Sequence, residues 1–365
     1  MLLMGFMFPG KKNGHSKPAI MTAIQTDGPY VLYSGNNVVV KYIIDDNGWK
    51  VLKADSMPVT QKASITLTVA TDEPGKTFPV QLKNEIKNEK AEYRKVSKQL
   101  VISDIEGNFQ PFRKLLLANA VIDSSFNWTF GEGHLVLTGD FVDRGNQVTE
   151  VLWLIYSLEE KAKAAGGYVH FILGNHEIMN MSADLRYLNE KYKENAIFLN
   201  ERYERLYGEN SELGRWLRSK NIVEKIGDVL YMHGGISAYV NTMDASLSKI
   251  NDLARPFYPD TTFKYPDIRT EILFSDYGPF WYRGYYAGKE LATQQQVDST
   301  LEKFNVSRIA TGHTIVADTI SVRFNGKVFN TDVNHAKSLS GALYIEDGQY
   351  YRVNMSGEKF PLLVK

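Results

Sequence analysis

Five short segments of this 365-residue chain set carboxylate, carboxamide or imidazole groups beside glycine. They are Asp104-Ile105-Glu106-Gly107-Asn108, Gly139-Asp140-Phe141-Val142-Asp143-Arg144-Gly145, Gly174-Asn175-His176-Glu177, His233-Gly234-Gly235 and Gly312-His313-Thr314. Carboxylate oxygens and imidazole nitrogens are ligands for divalent cations, and a neighbouring glycine lets backbone approach a bound ion. Cysteine is absent, which excludes disulfide scaffolds, thiolate zinc sites and cysteine nucleophiles. Any metal site must therefore be assembled from His, Asp, Glu and Asn.

Taken singly, each segment has an ordinary structural reading. Asp104 after an apolar run suits a helix N-cap, Gly139-Asp140 a turn, Asn175-His176 a turn or cap, and His233 a satisfied histidine near a core. Taken together they do not, because each follows a short strand-like run, and strand ends are where α/β proteins place their sites.

The elements that must hold these groups begin after residue 98. Apolar strands alternate with amphipathic helices: QLVISDIEGN then QPFRKLLLANAVI, HLVLTGDFVDRG then QVTEVLWLIYSLEEKAKAAGG, and YVHFILGNHEIM then a helical stretch. VLYMHGGIS, RIATGHTIV, KVFNTDVN and ALYIEDGQYYRV follow with less helix between them. The alternation predicts an α/β domain of mixed α+β character, its sheet folded as two packed sheets. Residues 20–98 read instead as a small β-rich N-terminal region, with DDNG between VVVKYII and WKVLKA as a hairpin signal. The charged stretch 83–98 reads as a solvated connecting helix or linker, with a boundary near 98.

Lys+Arg and Asp+Glu both number 42, so no bulk basic surface exists to bind nucleic acid or anionic membrane. No apolar run reaches the roughly 20 residues of a membrane helix. The start, residues 1–19, reads either as a signal remnant or as a frayed tail. The first implies a periplasmic or secreted protein, the second a cytoplasmic one.

The series DxEG, GDxxDRG, GNHE, HGG and GHT resembles the calcineurin-like metallophosphoesterases, specifically the phosphoprotein phosphatase branch. GDFVDRG and LGNHE carry most of that resemblance, and HGG and GHT little on their own. DYGPFWYRG (276–284) is most similar to the bacterial-origin group that includes the Shewanella-like phosphatases. The resemblance covers roughly residues 99–345 and implies a four-layer sandwich with a small N-terminal β appendage. It further implies a metal-dependent phosphatase for phosphomonoesters, acting on phosphorylated Ser, Thr or Tyr side chains or on aryl phosphates.

By that resemblance Asp104, Glu106 and Asp140 hold one divalent ion, and Asp140, Asn175, His233 and His313 a second. Two such ions lower the pKa of a bridging water and clamp phosphate oxygens. Manganese leads the candidates, with iron, zinc and magnesium behind. His176 is the implied general acid, oriented by Asp143. Arg144 and Arg283 are the implied phosphate grips, beside Asn175. For Arg283, set among the aromatics of FWYRGYY, stacking on a ring is the competing reading. His15, His134, His170 and His335 are expected to be structural.

One position departs from the pattern. The family has His where this chain has Glu106. Three ionised carboxylates then face the charges of the two ions instead of two, which makes the site harder and shifts metal preference. The inserts at about 180–220 and 241–290 are rich in aromatics, Tyr187, Tyr192, Tyr203 and Tyr207 among them. They read as lids over the site or as helices with aromatic core faces. Two further functions compete: hydrolysis of dinucleoside polyphosphates, and binding without strong catalysis, with the β region as recognition module.

Overall fold

Strand residues alternate in the direction they face, and here both faces are covered. In the computed structural model, which describes residues 24–337 and 340–362, two six-stranded sheets stack face to face. Residues 1–19 and His15 lie outside the described residues. The first sheet runs in the order Lys359–Pro361, Gln349–Asn354, Gly341–Glu346, Lys98–Ile102, His134–Leu137, Tyr168–Phe171. Its last three strands are parallel neighbours. The second sheet runs Ser321–Arg323, Val328–Asn330, Arg308–Thr311, Val229–Met232, Val223–Ile226, Glu92–Tyr93.

Val101, Val136 and Leu343 of the first sheet meet Tyr231, Ala310 and Phe329 of the second in one buried cluster, the seam between the sheets. The alternate residues, Leu100, Ile102, Leu135 and Leu137, join a second core with Phe112, Leu116, Val151 and Ile155 of the helices Phe109–Ala118 and Val148–Ala164. Leu230, Met232 and Ile309 do the same with Ile250 and Val297 of the helices Leu247–Ala254 and Gln294–Phe304. The result is a four-layer helix–sheet–sheet–helix sandwich: the two packed sheets expected from the alternation, in the layering that the resemblance implies.

The N-terminal region is a three-stranded antiparallel meander, Ile24–Ser34, Asn37–Asp46 and Trp49–Pro58, followed by the hairpin Thr66–Ala70 with Thr77–Gln81. Asn47 and Gly48 both have positive φ, 56° and 86°, as a two-residue type I′ turn requires. Tyr30, Val38, Phe78 and Val80 belong to the same buried cluster as the helices Phe109–Ala118 and Val148–Ala164. Trp153 Nε1 donates to Pro29 O at 2.8 Å.

The stretch 83–98 is not a helix. It runs extended and supplies the strand Glu92–Tyr93 to the second sheet. Its charges look solvated locally but pair at long range. Lys83 contacts Glu159, and Glu89 accepts from Lys220 at 2.9 Å.

Candidate metal centre and active site

The parallel strands Lys98–Ile102, His134–Leu137, Tyr168–Phe171, Val229–Met232 and Arg308–Thr311 deliver the five motif segments to one edge of the sandwich. There the backbone reverses sharply. Asp104, Glu106, Asp140, Asp143, Arg144 and His313 all have φ between 49° and 68°, the left-handed region that side chains usually avoid. Such strain persists only where surroundings over-determine it. Here the buried Glu177 carboxylate accepts from the backbone N–H groups of Asp140 (2.9 Å), Phe141 (2.7 Å) and Gly174 (2.8 Å). A Cβ at Gly174 would overlap the Asp140 carboxylate, so glycine is required there by close approach.

Asp140, His233 and His313 are buried and present ligand atoms within 4.8 Å of one another. His233 Nε2 lies 2.9 Å from Asp140 Oδ2, 3.0 Å from Asn175 Oδ1 and 3.1 Å from His313 Nδ1. Its Nδ1 is held by Thr138 O at 2.7 Å, which aims Nε2 inward. Asp104 Oδ2 accepts from His313 N at 3.1 Å.

The buried groups perturb one another. Burial and Asp140, opposed in part by His233, lift the Asp104 carboxyl to about 6. Burial opposes ionisation of Asp140 too, but His233 and His176 hold it below the usual carboxylate range. His233, despite burial, is driven up to about 10 by Asp140. His313 is pushed well down by burial, His233 and Arg283. A clustered set of buried carboxylate oxygens and imidazole nitrogens fits divalent cations.

His176 faces this group. Its Nε2 is 3.7 Å from Asp140 Oδ2 and its Nδ1 is 2.7 Å from Asp143 Oδ2. Asp143 is fixed on its other oxygen by Asn180 Nδ2 at 2.9 Å, and Asn180 in turn accepts from Tyr203 OH at 2.5 Å. Burial works against the His176 imidazolium, but Asp140 and Asp143 raise its pKa above the ordinary value.

A cavity of about 450 Å³ opens onto Asp104, Glu106, Asp140, Arg144, His176, Arg283, His313 and Asp332. Glu106 lines it, but its carboxylate is paired with the Arg144 guanidinium. Arg283 contacts His313 O and reaches Thr314 Oγ1 at 3.2 Å. Larger clefts of about 840 and 710 Å³ lie around Lys62, Arg215 and Arg255 and around Tyr33, Lys41 and Arg205. Among the described residues, neither gathers ligand atoms as this cavity does.

Two groups at the site escape a motif reading. Asp332 is a buried carboxylate pushed well up by burial and by Asp104. It lies in the run KVFNTDVN, two residues beyond the strand Val328–Asn330, so it carries the strand-end signal that marks the other segments. Tyr187 packs its ring 5.0 Å from that of His176 and 5.2 Å from the Arg144 guanidinium. Tyr192, Tyr203 and Tyr207 are buried in the core instead. His335 lines the same cavity and braces the strand end, with Nε2 2.9 Å from Ser103 O and Nδ1 2.8 Å from Ser340 Oγ. His134 and His170 lie in a separate buried network with Glu224.

The chain is similar to several known proteins. The family model for calcineurin-like phosphoesterases matches residues 97–317. The structure of a cold-active protein-tyrosine phosphatase from a psychrophilic Shewanella species is similar with TM-score 0.83 and 35% identity, over 94% of this chain and 100% of that one. An uncharacterised protein of Schizosaccharomyces pombe is 29% identical over 66% of this chain and 74% of its own length. The Shewanella-like protein phosphatase 1 of Plasmodium berghei is 25% identical over 66% of this chain and 70% of its own length.

Proposed function

Because the chain belongs to the calcineurin-like phosphoesterase family and is a metal-dependent phosphatase, a phosphoric monoester hydrolase, we propose that it hydrolyses phosphotyrosine or other aryl phosphates, with phosphoserine and phosphothreonine next. The substrate named for the Shewanella structure supports that order. So does Tyr187, an aromatic face beside His176 on which an aryl leaving group can pack. The observation that carries the reading is the His176–Asp143 pair at 2.7 Å, opening onto the same cavity as Asp140 and His313.

The family implies divalent metal ions. We assign two, with Asp104, Glu106 and Asp140 toward one and Asp140, Asn175, His233 and His313 toward the other, manganese preferred. When bound, such ions neutralise phosphoryl charge and supply a water-derived nucleophile at neutral pH. The rest falls to side chains of this chain. Arg144 and Arg283 orient the phosphoryl oxygens with planar donor forks. His176 protonates the departing oxygen from Nε2, while Asp143 keeps a proton on Nδ1 and stabilises the imidazolium before transfer. Arg144 must give up Glu106 to reach phosphate, and Glu106 is then free for a cation.

The test is release of inorganic phosphate from phosphotyrosine, phosphoserine and phosphothreonine peptides, each with manganese, magnesium, zinc and iron. Fastest release from phosphotyrosine with manganese, and about two metal equivalents by elemental analysis, is the expected result. Nucleotide products from a symmetric dinucleoside tetraphosphate, without comparable phosphate release from peptides, would replace this reading with dinucleotide hydrolysis. Activity that appears only in Glu106→His would mark the site as degenerate.

A further inference from the structure

The N-terminal meander has no part in the chemistry above, yet its most buried charge connects to the catalytic loop. Asp27, on the first strand, is 1% exposed. Its Oδ1 accepts from Gly28 N at 2.7 Å and its Oδ2 from Tyr30 OH at 2.9 Å. The same Oδ2 accepts from Asn195 Nδ2 and lies 3.4 Å from Lys191 Nζ. Asn195 and Lys191 belong to the helix Glu190–Phe198.

That helix holds the catalytic loop from its N-terminal end, with Lys191 common to both contacts. Lys191 Nζ donates to Asn146 O at 2.6 Å, and Asn189, the helix N-cap, donates from Nδ2 to Arg144 O at 2.9 Å. Tyr192 OH accepts from Val148 N at 2.6 Å, just beyond the loop. Arg144 N closes the connection by donating to Tyr187 O at 3.0 Å. The loop needs such holds, because Asp143 and Arg144 are successive non-glycine residues at φ 68° and 53°. Helix Glu190–Phe198 is thus a strut between a buried carboxylate of the β region and the carbonyls of Arg144 and Asn146.

We propose that Asp27 is a positioning residue for Arg144, and that the N-terminal β region serves the reaction by fixing the phosphate grip rather than by recognising a partner. This rests on the reading of Arg144 as a phosphate ligand. A buried anion can set the place of a lysine that a neutral residue would leave free to swing, because Lys191 is one-quarter exposed and has water as an alternative partner. A displacement of about 1 Å in a substrate-orienting group costs up to about 100-fold in rate.

The test is a double-mutant cycle with two readouts: kcat/KM on p-nitrophenyl phosphate, and the competitive inhibition constant of inorganic phosphate. Asp27→Asn, which keeps shape and an acceptor oxygen but loses the charge, is expected to weaken phosphate inhibition and lower kcat/KM by about tenfold. In an Arg144→Ala background the same change is expected to do less than about twofold. Lys191→Met leaves Asp27 its contacts with Tyr30 and Asn195 and gives the same pattern, which carries the test should Asp27→Asn not fold. Val38→Ala, a core truncation in the same meander, is the control. It is expected to lower Tm without moving phosphate inhibition. An equal loss in both arginine backgrounds, an unmoved inhibition constant, or an equal shift in Val38→Ala overturns the proposal. Wild-type protein that neither binds phosphate nor turns over the ester would instead remove the function on which it rests.

Discussion

Two histidine–carboxylate pairs in this protein have the same geometry and opposite character. His176 Nδ1 lies 2.7 Å from Asp143 Oδ2, and His170 Nδ1 lies 2.7 Å from Glu224 Oε2. All four side chains are buried. At the strand-end site, burial is overcome by Asp140 and Asp143, and His176 is biased toward the charged form. In the distant network burial wins. His170 falls to about 3, His134, whose Nδ1 is 2.8 Å from His170 Nε2, falls to about 3, and Glu224 is pushed well above its ordinary value. Separation and burial therefore do not identify a catalytic histidine. What distinguishes the two is a second carboxylate and a cavity: His176 has Asp140 at 3.7 Å and faces open volume, whereas His170 is walled in by Tyr93, Tyr168 and His134.

The comparison is broken most directly by removing each imidazole in turn. His176→Asn is expected to lower kcat by about 10³ with little change in KM, and to cost alkyl phosphates more than p-nitrophenyl phosphate, whose leaving group needs less protonation. His170→Asn is expected to leave kcat within about twofold while lowering stability by about 1–3 kcal/mol in urea unfolding, since it strands partners in a buried network. A wild-type rate in the His176 variant would sink the general-acid assignment. A large loss of kcat in the folded His170 variant would sink the division between the two regions.

A smaller effect separates the carboxylates. Asp143→Asn places an amide donor against Nδ1 and favours the wrong tautomer, so kcat is expected to fall by about 10² or more. Glu224→Gln should be nearly silent in activity. A neutral Glu224 donates to His170 and accepts from Asn221 Nδ2 at 2.9 Å, and glutamine can do both. Steady-state kinetics on folded variants decide it: comparable losses in the two would mean that Glu224 also holds a charge that matters to the reaction.

What could be read from the sequence follows the same division. Asp104, Asp140, Asp143, Asn175, His176, His233 and His313 sit in segments whose types and spacing are set by chemistry, so their grouping at one edge was legible before any fold was known. Glu177 stood in the same motif, but its work, accepting three backbone N–H groups from two loops, depends on a turn that local pattern does not encode. Asp332 carries the strand-end signal but has no glycine beside it, so local pattern does not single it out. The stretch 83–98 misled for a physical reason. Its charges match a solvated helix, and only partners 76 and 131 positions away pair Lys83 with the buried Glu159 and Glu89 with the buried Lys220, and make the backbone an edge strand. The link from Asp27 to the Arg144 loop was likewise invisible, because Asn195 is 168 positions distant.

The smallest effect is the sharpest test of the neutral network. Histidines with folded pKa values depressed from 6.5 to about 3 resist protonation while the unfolded chain accepts it. Their stabilisation is present above pH 6.5 and is lost as pH falls toward about 3. Glu224 has the opposite sign. Its folded pKa is raised, so its contribution is complete below the unfolded value of 4.5 and is lost as pH rises above it. Between pH 4.5 and 6.5 the two effects oppose, and Glu224 offsets one of the two histidine protons. Glu224→Gln removes that offset, so unfolding free energy should fall with decreasing pH more steeply than in wild type there, by about 1.4 kcal/mol per pH unit, the slope of one proton. Below pH 4.5 the two curves should run parallel. Urea unfolding of both proteins across pH 4 to 7 measures the difference directly, and the rest of the protein's titration cancels. Parallel curves throughout would mean that Glu224 is ionised in the folded state, and the network would then hold a charge rather than being the neutral counterpart of the His176 pair.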